Sequence, residues 1–110
     1  MILESKEKAD IAIAALEDKK GEDVKIIDVS SLTEIADYFV LATANNKNQL
    51  EALVDAVEER MGKNGIIPKN IEGRPQDNTQ WILMDYNDII VHIFTKEGRD
   101  FYDLERIWKK

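Results

Sequence analysis

An apolar run of strand length lies just before an amphipathic helix, and this pair constrains the fold more than any other feature. Tyr38 to Thr43 reads Tyr-Phe-Val-Leu-Ala-Thr, which is too apolar for a strand with one solvated face. From Leu50 to Met61 apolar residues then recur at helical spacing, and Asn45-Asn46 offers an N-cap. A buried strand followed by an amphipathic helix predicts an α/β protein whose helices cover a sheet.

The segments on either side extend this alternation. A helix is predicted from about Leu3 to Lys19, and Gly21 supplies a stop. Val24 to Val29 is short and β-branched, which predicts a strand, and another extended piece begins at Ile66. Because the apolar stripe of the first helix is narrow and rich in alanine, this helix is expected to lie close against a sheet or a second chain. The stripe consists of Ala9, Ala12, Ile13 and Leu16.

The second half of the chain predicts a hairpin and a closing helix. A polar loop from Glu72 to Thr79 leads into two strands, Trp81 to Asp85 and Ile89 to Thr95. The tight turn between them places Asn87 where a positive φ is required. A helix from about Glu97 to Lys109 is then expected, with four apolar residues on its inner face. These residues are Phe101, Leu104, Ile107 and Trp108.

Length and charge limit the classes of protein to which the chain can belong. Its 110 residues predict one domain, residues 1–110. The element order α-β-β-α-β-β-β-α predicts a mixed sheet of about five strands with helices packed across it. A net charge of −7 excludes general nucleic-acid binding and polybasic membrane adhesion, so a steered partner should be basic. The N-terminus is charged at once and resembles no secretory signal, which favours the cytoplasm.

The side chains needed for common enzyme chemistry are missing from the sequence. There is no cysteine, and His92 is the only histidine, which excludes a thiolate nucleophile and a multi-histidine metal site. No serine lies in a nucleophile elbow, and no glycines form a phosphate-binding loop. The sequence therefore predicts no catalytic residue, no metal and no cofactor. His92 alternates with Ile90 and Phe94, which favours a structural or partner-facing role.

Five carboxylates keep an enzymatic alternative open. Asp28, Asp37, Glu72, Asp85 and Asp88 could converge to bind Mg²⁺ if the fold brought them together. Their spacing matches neither an EF-hand nor a two-metal nuclease. Acidic side chains on the surface of such an acidic chain also need no special purpose, so the metal site is the weaker interpretation.

Strand alternation after the polar loop singles out one surface. Trp81, Leu83 and Asp85 share one face of their strand, and one of the two faces has to meet the core. Two interpretations follow: helices cover both faces, or one face is a binding surface anchored by Trp81, whose acidic rim selects a basic partner. The opposite face carries Ile82, Met84 and Tyr86.

Four motifs occur in a recognisable order. The first runs from Asp28-Val29 through Leu32-Thr33 to Ala36-Asp37-Tyr38-Phe39-Val40, and the second is Glu72-Gly73 ahead of Trp81. The third is Asp85-x-x-Asp88-Ile89-Ile90-Val91-His92-x-Phe94, and the fourth is Arg99-x-Phe101-Tyr102-x-Leu104-Glu105-x-x-Trp108. Together they resemble the ribosomal silencing factor family, also called RsfS or Iojap, over about Val24 to Trp108.

This resemblance implies a fold related to nucleotidyltransferases without their catalytic carboxylate motif, and a translational repressor that is not an enzyme. Family members bind a large-subunit ribosomal protein, conventionally numbered fourteen, on the face of the 50S subunit that meets the small subunit. Occupying that face sterically blocks joining of the subunits and lowers translation under nutrient limitation, as in stationary phase. Members often crystallise as homodimers, so a homodimer is one implied assembly.

The resemblance also transfers a partner-binding region to this chain. The region is centred on the tryptophan strand, and its residues are Trp81, Ile82, Leu83, Asp85 and Asp88, with His92, Arg99 and Tyr102 as neighbours. The chain departs from the family at Ala44-Asn45-Asn46, where members have glycine and then serine, and at Asn87, where they have glycine. A positive φ at Ala44 would be costly. The alternatives are a nucleotidyltransferase-like, metal-dependent enzyme and a dimeric protein-binding scaffold.

Overall fold

The computed structural model describes residues 3–73 and 79–108, in which helices and strands alternate as predicted. The order of elements confirms the α/β class, with one helix more than expected at the C-terminal end. The elements are α1 (Ser5–Asp18), β1 (Glu22–Asp28), β2 (Tyr38–Ala44), α2 (Lys47–Lys63), β3 (Asn70–Glu72), β4 (Trp81–Asp85), β5 (Ile89–Thr95), α3 (Lys96–Tyr102) and α4 (Leu104–Ile107).

The five strands form one mixed sheet in the order β1-β2-β5-β4-β3. Among the strand pairs of the described residues, β2 and β5 run parallel and the other neighbours are antiparallel. These two strands lie at the centre and are buried on both faces along nearly their whole length. The prediction of a central strand from the apolar run at Tyr38 is therefore confirmed.

Helices α1 and α2 cover one face of the sheet. Ala9, Ala12 and Leu16 of α1 are fully buried, and their small size lets α1 lie close to α2 and to β2. The Asn46 side chain accepts a hydrogen bond of 2.8 Å from the Gln49 backbone N–H, which confirms the predicted cap of α2. The apolar stripe of α2 is buried as expected, at Leu50, Leu53, Val54, Val57 and Met61.

The opposite face carries a smaller apolar cluster. Phe39, Leu41 and Phe94 are buried there, and Leu104 and Trp108 pack over them from the C-terminal end of the chain. Because α3 and α4 are short, the cover that these two helices provide extends over only part of the sheet. Trp81 and Leu83 lie beside the cluster and stay half-buried.

The C-terminal helix departs from the prediction. Asp103 adopts a left-handed backbone, with φ 46° and ψ 49°, which ends α3 and starts α4 in a new direction. The helical phase therefore breaks, and Phe101 and Ile107 are 77% and 69% exposed instead of facing inward. Leu104 and Trp108 do face the core as predicted.

Other local expectations have mixed outcomes. Asn87 has a φ of 73°, as the hairpin turn predicts, whereas Ala44 ends β2 without a positive φ. The extended piece that begins at Ile66 forms a strand only at Asn70–Glu72. Most of the predicted polar loop, residues 74–78, and the predicted helix end at Lys109 lie outside the described residues. No helix in the described ranges has the length and apolarity needed to cross a membrane.

Candidate functional site

The tryptophan strand has two different faces, as its alternation predicts. Trp81, Leu83 and Asp85 of β4 are half-buried on the face that carries the smaller cluster. Ile82 and Met84 point the other way and are fully buried beneath α1 and α2. Ile82 is therefore corrected from a contact residue to a core residue, because its side chain lies on the helix-covered face of the sheet.

The Trp81 indole is held by a hydrogen bond to a buried histidine. Its Nε1–H donates to Nδ1 of His92 at 3.0 Å, across the β4–β5 pair. His92 is only 3% exposed, and its burial lowers the pKa of the imidazole to about 3, from an ordinary value of 6.5. The ring is therefore neutral near pH 7, and because Nδ1 accepts a hydrogen bond, its proton is on Nε2.

Two further aromatic rings pack against the Trp81 indole. Trp81 stacks on Phe94 at a centroid distance of 5.3 Å, and Tyr102 of α3 lies 4.8 Å away. Phe101 meets Tyr102 edge to face at 5.1 Å. Because Tyr102 and Phe101 are exposed, the half-buried indole forms part of an aromatic surface open to solvent. We call Trp81, Leu83, Phe101 and Tyr102 the aromatic face.

Two glycines, Gly73 and Gly98, position the start of the tryptophan strand. A Cβ added to Gly98 of α3 would lie 2.3 Å from the carbonyl oxygen of Gln80, which also accepts the Thr95 backbone N–H at 3.1 Å. Gly73 has a φ of +80°, and a Cβ there would lie 2.5 Å from the Trp81 carbonyl oxygen. A glycine inside a helix destabilises that helix, so its presence at position 98 indicates in the sequence that another segment comes close to α3.

The two acids of the predicted site lie at the hairpin turn and already have partners. The Asp85 carboxylate accepts a hydrogen bond of 2.8 Å from the Asn87 backbone N–H. Asp88 forms an ion pair of 3.2 Å with Lys8 of α1. Both side chains are half-exposed, so they can form the rim of the aromatic face while they stabilise the turn.

Two further carboxylates of the metal alternative have separate partners. Asp28 accepts hydrogen bonds from Ser30, and Asp37 accepts one from the Ser5 hydroxyl at 2.8 Å. Across the described residues, no group of three or more histidine, aspartate or glutamate side chains is arranged to hold a metal ion.

Arg99 ties the C-terminal elements to the sheet. Its guanidinium donates to Glu105 of α4 at 2.8 Å and to the Thr43 hydroxyl of β2 at 2.9 Å, and the residue is 8% exposed. Glu105 also pairs with Lys25 of β1 at 3.2 Å. The hydrogen bond from Arg99, more than any other interaction, lowers the pKa of the Glu105 carboxyl. Arg99 therefore joins α3 to both α4 and β2.

A cleft of about 710 Å³ lies between β1 and α4. Ile26, Ile27 and Trp108 provide its apolar walls, and the Lys25–Glu105 ion pair lies on its rim. The described residues that line it include the carboxylates Asp28, Asp103 and Glu105, but no histidine and no hydroxyl side chain.

Comparison with known proteins identifies relatives along the whole chain. The family model described as "Ribosomal silencing factor during starvation" matches residues 2–110. A ribosomal silencing factor of Bacillus subtilis is 37% identical over 98 residues, which are 89% of this chain and 81% of the relative. A mouse protein named for mitochondrial assembly of the ribosomal large subunit is 26% identical over 103 residues, which are 90% of this chain and 44% of that protein.

Solved structures show the same architecture. A crystal structure of a Chromobacterium violaceum protein superimposes with a TM-score of 0.91 at 34% identity, covering 96% of this chain and 87% of the other. A second, from Bacillus halodurans, has a TM-score of 0.82 at 30% identity and covers 94% of each chain.

Proposed function

Because this chain belongs to the ribosomal silencing factor family, we propose that it binds the large ribosomal subunit and prevents its joining to the small subunit. The partner is the large-subunit ribosomal protein conventionally numbered fourteen, on the face that meets the small subunit. The protein acts by occupying this face, so inhibition needs binding and no chemical turnover. This role places the protein with ribosomes in the cytoplasm.

The aromatic face is the observation that carries the proposal. It combines a half-buried Trp81 with exposed Tyr102 and Phe101, and the indole of Trp81 is held from inside the protein by a hydrogen bond to His92 and a stack on Phe94. Tryptophan and tyrosine are enriched where truncation costs the most binding energy. A fixed aromatic surface of this kind favours docking against another macromolecule over capture of a small molecule.

The charge of the chain supports a basic protein as partner. With a net charge of −7, the chain is repelled by the phosphates of bare RNA and attracted to a cationic ribosomal protein. Asp85 and Asp88 place acids at the hairpin turn that leads away from Leu83. Such rim charges increase the rate of association and select the partner more than they add affinity.

Co-sedimentation with separated ribosomal subunits tests the proposal. The protein is expected in the large-subunit peak of a sucrose gradient, and Trp81→Ala should weaken binding by about 30-fold, the equivalent of a 2 kcal/mol hot spot. Ile67→Ala is the matched control, because Ile67 is 81% exposed and lies outside the aromatic face. Unchanged co-sedimentation of a folded Trp81→Ala variant would exclude the aromatic face as the docking surface.

The other assemblies and activities have their own tests. The alanine stripe of α1, which motivated the scaffold alternative, packs within the same chain, so a homodimer would need another surface. Analytical ultracentrifugation of the isolated protein tests the homodimer directly. Calorimetric titration with Mg²⁺ and a nucleotide tests the enzyme alternative, which measurable heat at micromolar concentration would revive.

A further inference from the structure

A polar group that could bind a partner is instead used inside the protein. The indole Nε1–H is the only hydrogen-bond donor of a tryptophan side chain, and in Trp81 it is directed to His92. The part of Trp81 that reaches solvent therefore offers a ring surface without a donor. A partner of the aromatic face meets apolar and π surface at this point.

The surroundings of His92 leave its imidazole free only to accept the hydrogen bond from the Trp81 indole. At 3% exposure, its imidazole cannot contact a docked protein, and it is packed between rings: Phe39 lies 4.7 Å away edge to face, and Phe94 lies 6.3 Å away. The buried Nε2 has no hydrogen-bond partner among the described residues. A buried polar group with an unsatisfied donor is costly, so an apolar residue would pack here at lower cost unless the acceptor at Nδ1 were needed.

We propose that His92 is a positioning residue for docking: its Nδ1 accepts the indole N–H and fixes the orientation in which Trp81 meets a partner. This inference rests on the proposed function for its effect on ribosome binding, whereas its effect on the indole is independent of any partner. Without the acceptor, Trp81 loses a directional restraint that stacking on Phe94 does not supply. Docking then has to restore that order, which weakens binding.

Two substitutions separate the acceptor from the volume of the ring. His92→Phe keeps an aromatic ring but removes the acceptor, whereas His92→Asn places a carbonyl oxygen near the position of Nδ1. We expect His92→Phe to weaken binding to large subunits by about tenfold, the effect of one neutral hydrogen bond, and His92→Asn to restore part of that loss. In a Trp81→Phe background, where there is no indole donor, His92→Phe should cause no further loss.

Nuclear magnetic resonance of the indole and imidazole nitrogens tests positioning without the ribosome. In the unmodified protein, the imidazole should be the neutral Nε2–H tautomer at about pH 6, and the Trp81 indole proton should exchange slowly with solvent. His92→Phe should shift that resonance and speed its exchange. An imidazolium or Nδ1–H form in the unmodified protein, or an unchanged indole signal in His92→Phe, would overturn the proposal.

The two measurements distinguish failure of this inference from failure of the proposed function. If the unmodified protein does not bind large subunits, the proposed function fails, and the indole resonance still decides whether His92 positions Trp81. If the protein binds and His92→Phe binds equally well with an altered indole signal, the orientation of Trp81 does not matter for docking, and the inference is refuted.

Discussion

Acidification within a mild range should destabilise this protein through a single residue. His92 is the only histidine of the chain, and burial lowers its pKa to about 3, from 6.5. In the unfolded chain this group takes up a proton as the pH falls below 6.5, whereas in the folded protein it stays neutral. The unfolded state therefore binds more protons over this interval, so stability is greatest above the unfolded pKa and is lost as the pH falls.

The size of the loss follows from the two pKa values. Between about pH 7 and about pH 5 the free energy of unfolding should fall by about 2 kcal/mol. The hydrogen bond from Arg99 lowers the pKa of Glu105, so the stability that this carboxylate contributes is lost only in more acidic solution.

Urea unfolding at the two pH values measures this loss. His92→Asn is the control, because it removes the titrating group, and its stability should be nearly the same at both pH values. Equal stability of the unmodified protein at the two pH values would refute the argument that His92 is buried and neutral. A His92→Asn variant that loses as much as the unmodified protein would show that another group is responsible.

Two further predictions concern the elements that support the aromatic face. Gly98→Ala should lower the free energy of unfolding by about 1–3 kcal/mol, because the added Cβ would meet the Gln80 carbonyl oxygen. Gly62→Ala is the control: the space around Gly62 is open, so this substitution should raise the free energy of unfolding by up to about 1 kcal/mol. Thermal unfolding measures both variants, and equal effects would contradict the close approach at Gly98. Arg99→Met should lower the free energy of unfolding by about 2 kcal/mol and speed amide hydrogen exchange in residues 104–108, because it removes the donor to Glu105 and Thr43. Unchanged exchange in these residues would show that Arg99 does not hold α4 in place.

Local sequence rules accounted for most of the fold. The helical spacing from Leu50 to Met61, the cap at Asn46 and the turn at Asn87 each depend on a few neighbouring residues, and all three predictions are confirmed. The alternation of β4 also predicted correctly that Ile82 lies on the opposite face of the strand from Trp81 and Leu83. Applied strictly, the same alternation would have removed Ile82 from the predicted partner-binding residues.

The rest of the site depends on contacts between distant segments. The hydrogen bond from Trp81 to His92 needs the register of β4 against β5, which the sequence does not state. The close approach of Gly98 to Gln80 joins a helix to the residue before a strand. The break at Asp103 depends on one residue in a left-handed conformation, which aspartate adopts more readily than most residues but rarely enough to be missed.

Light scattering during the joining of purified ribosomal subunits tests the central claim most directly. When the large subunits are first mixed with increasing amounts of this protein, joining should fall in proportion and stop near equimolar protein. The Trp81→Ala variant should leave the joining of the subunits intact at the same concentrations. Complete inhibition by a small fraction of an equivalent would indicate turnover, and joining that proceeds normally at saturation would show that the aromatic face does not block the subunit interface.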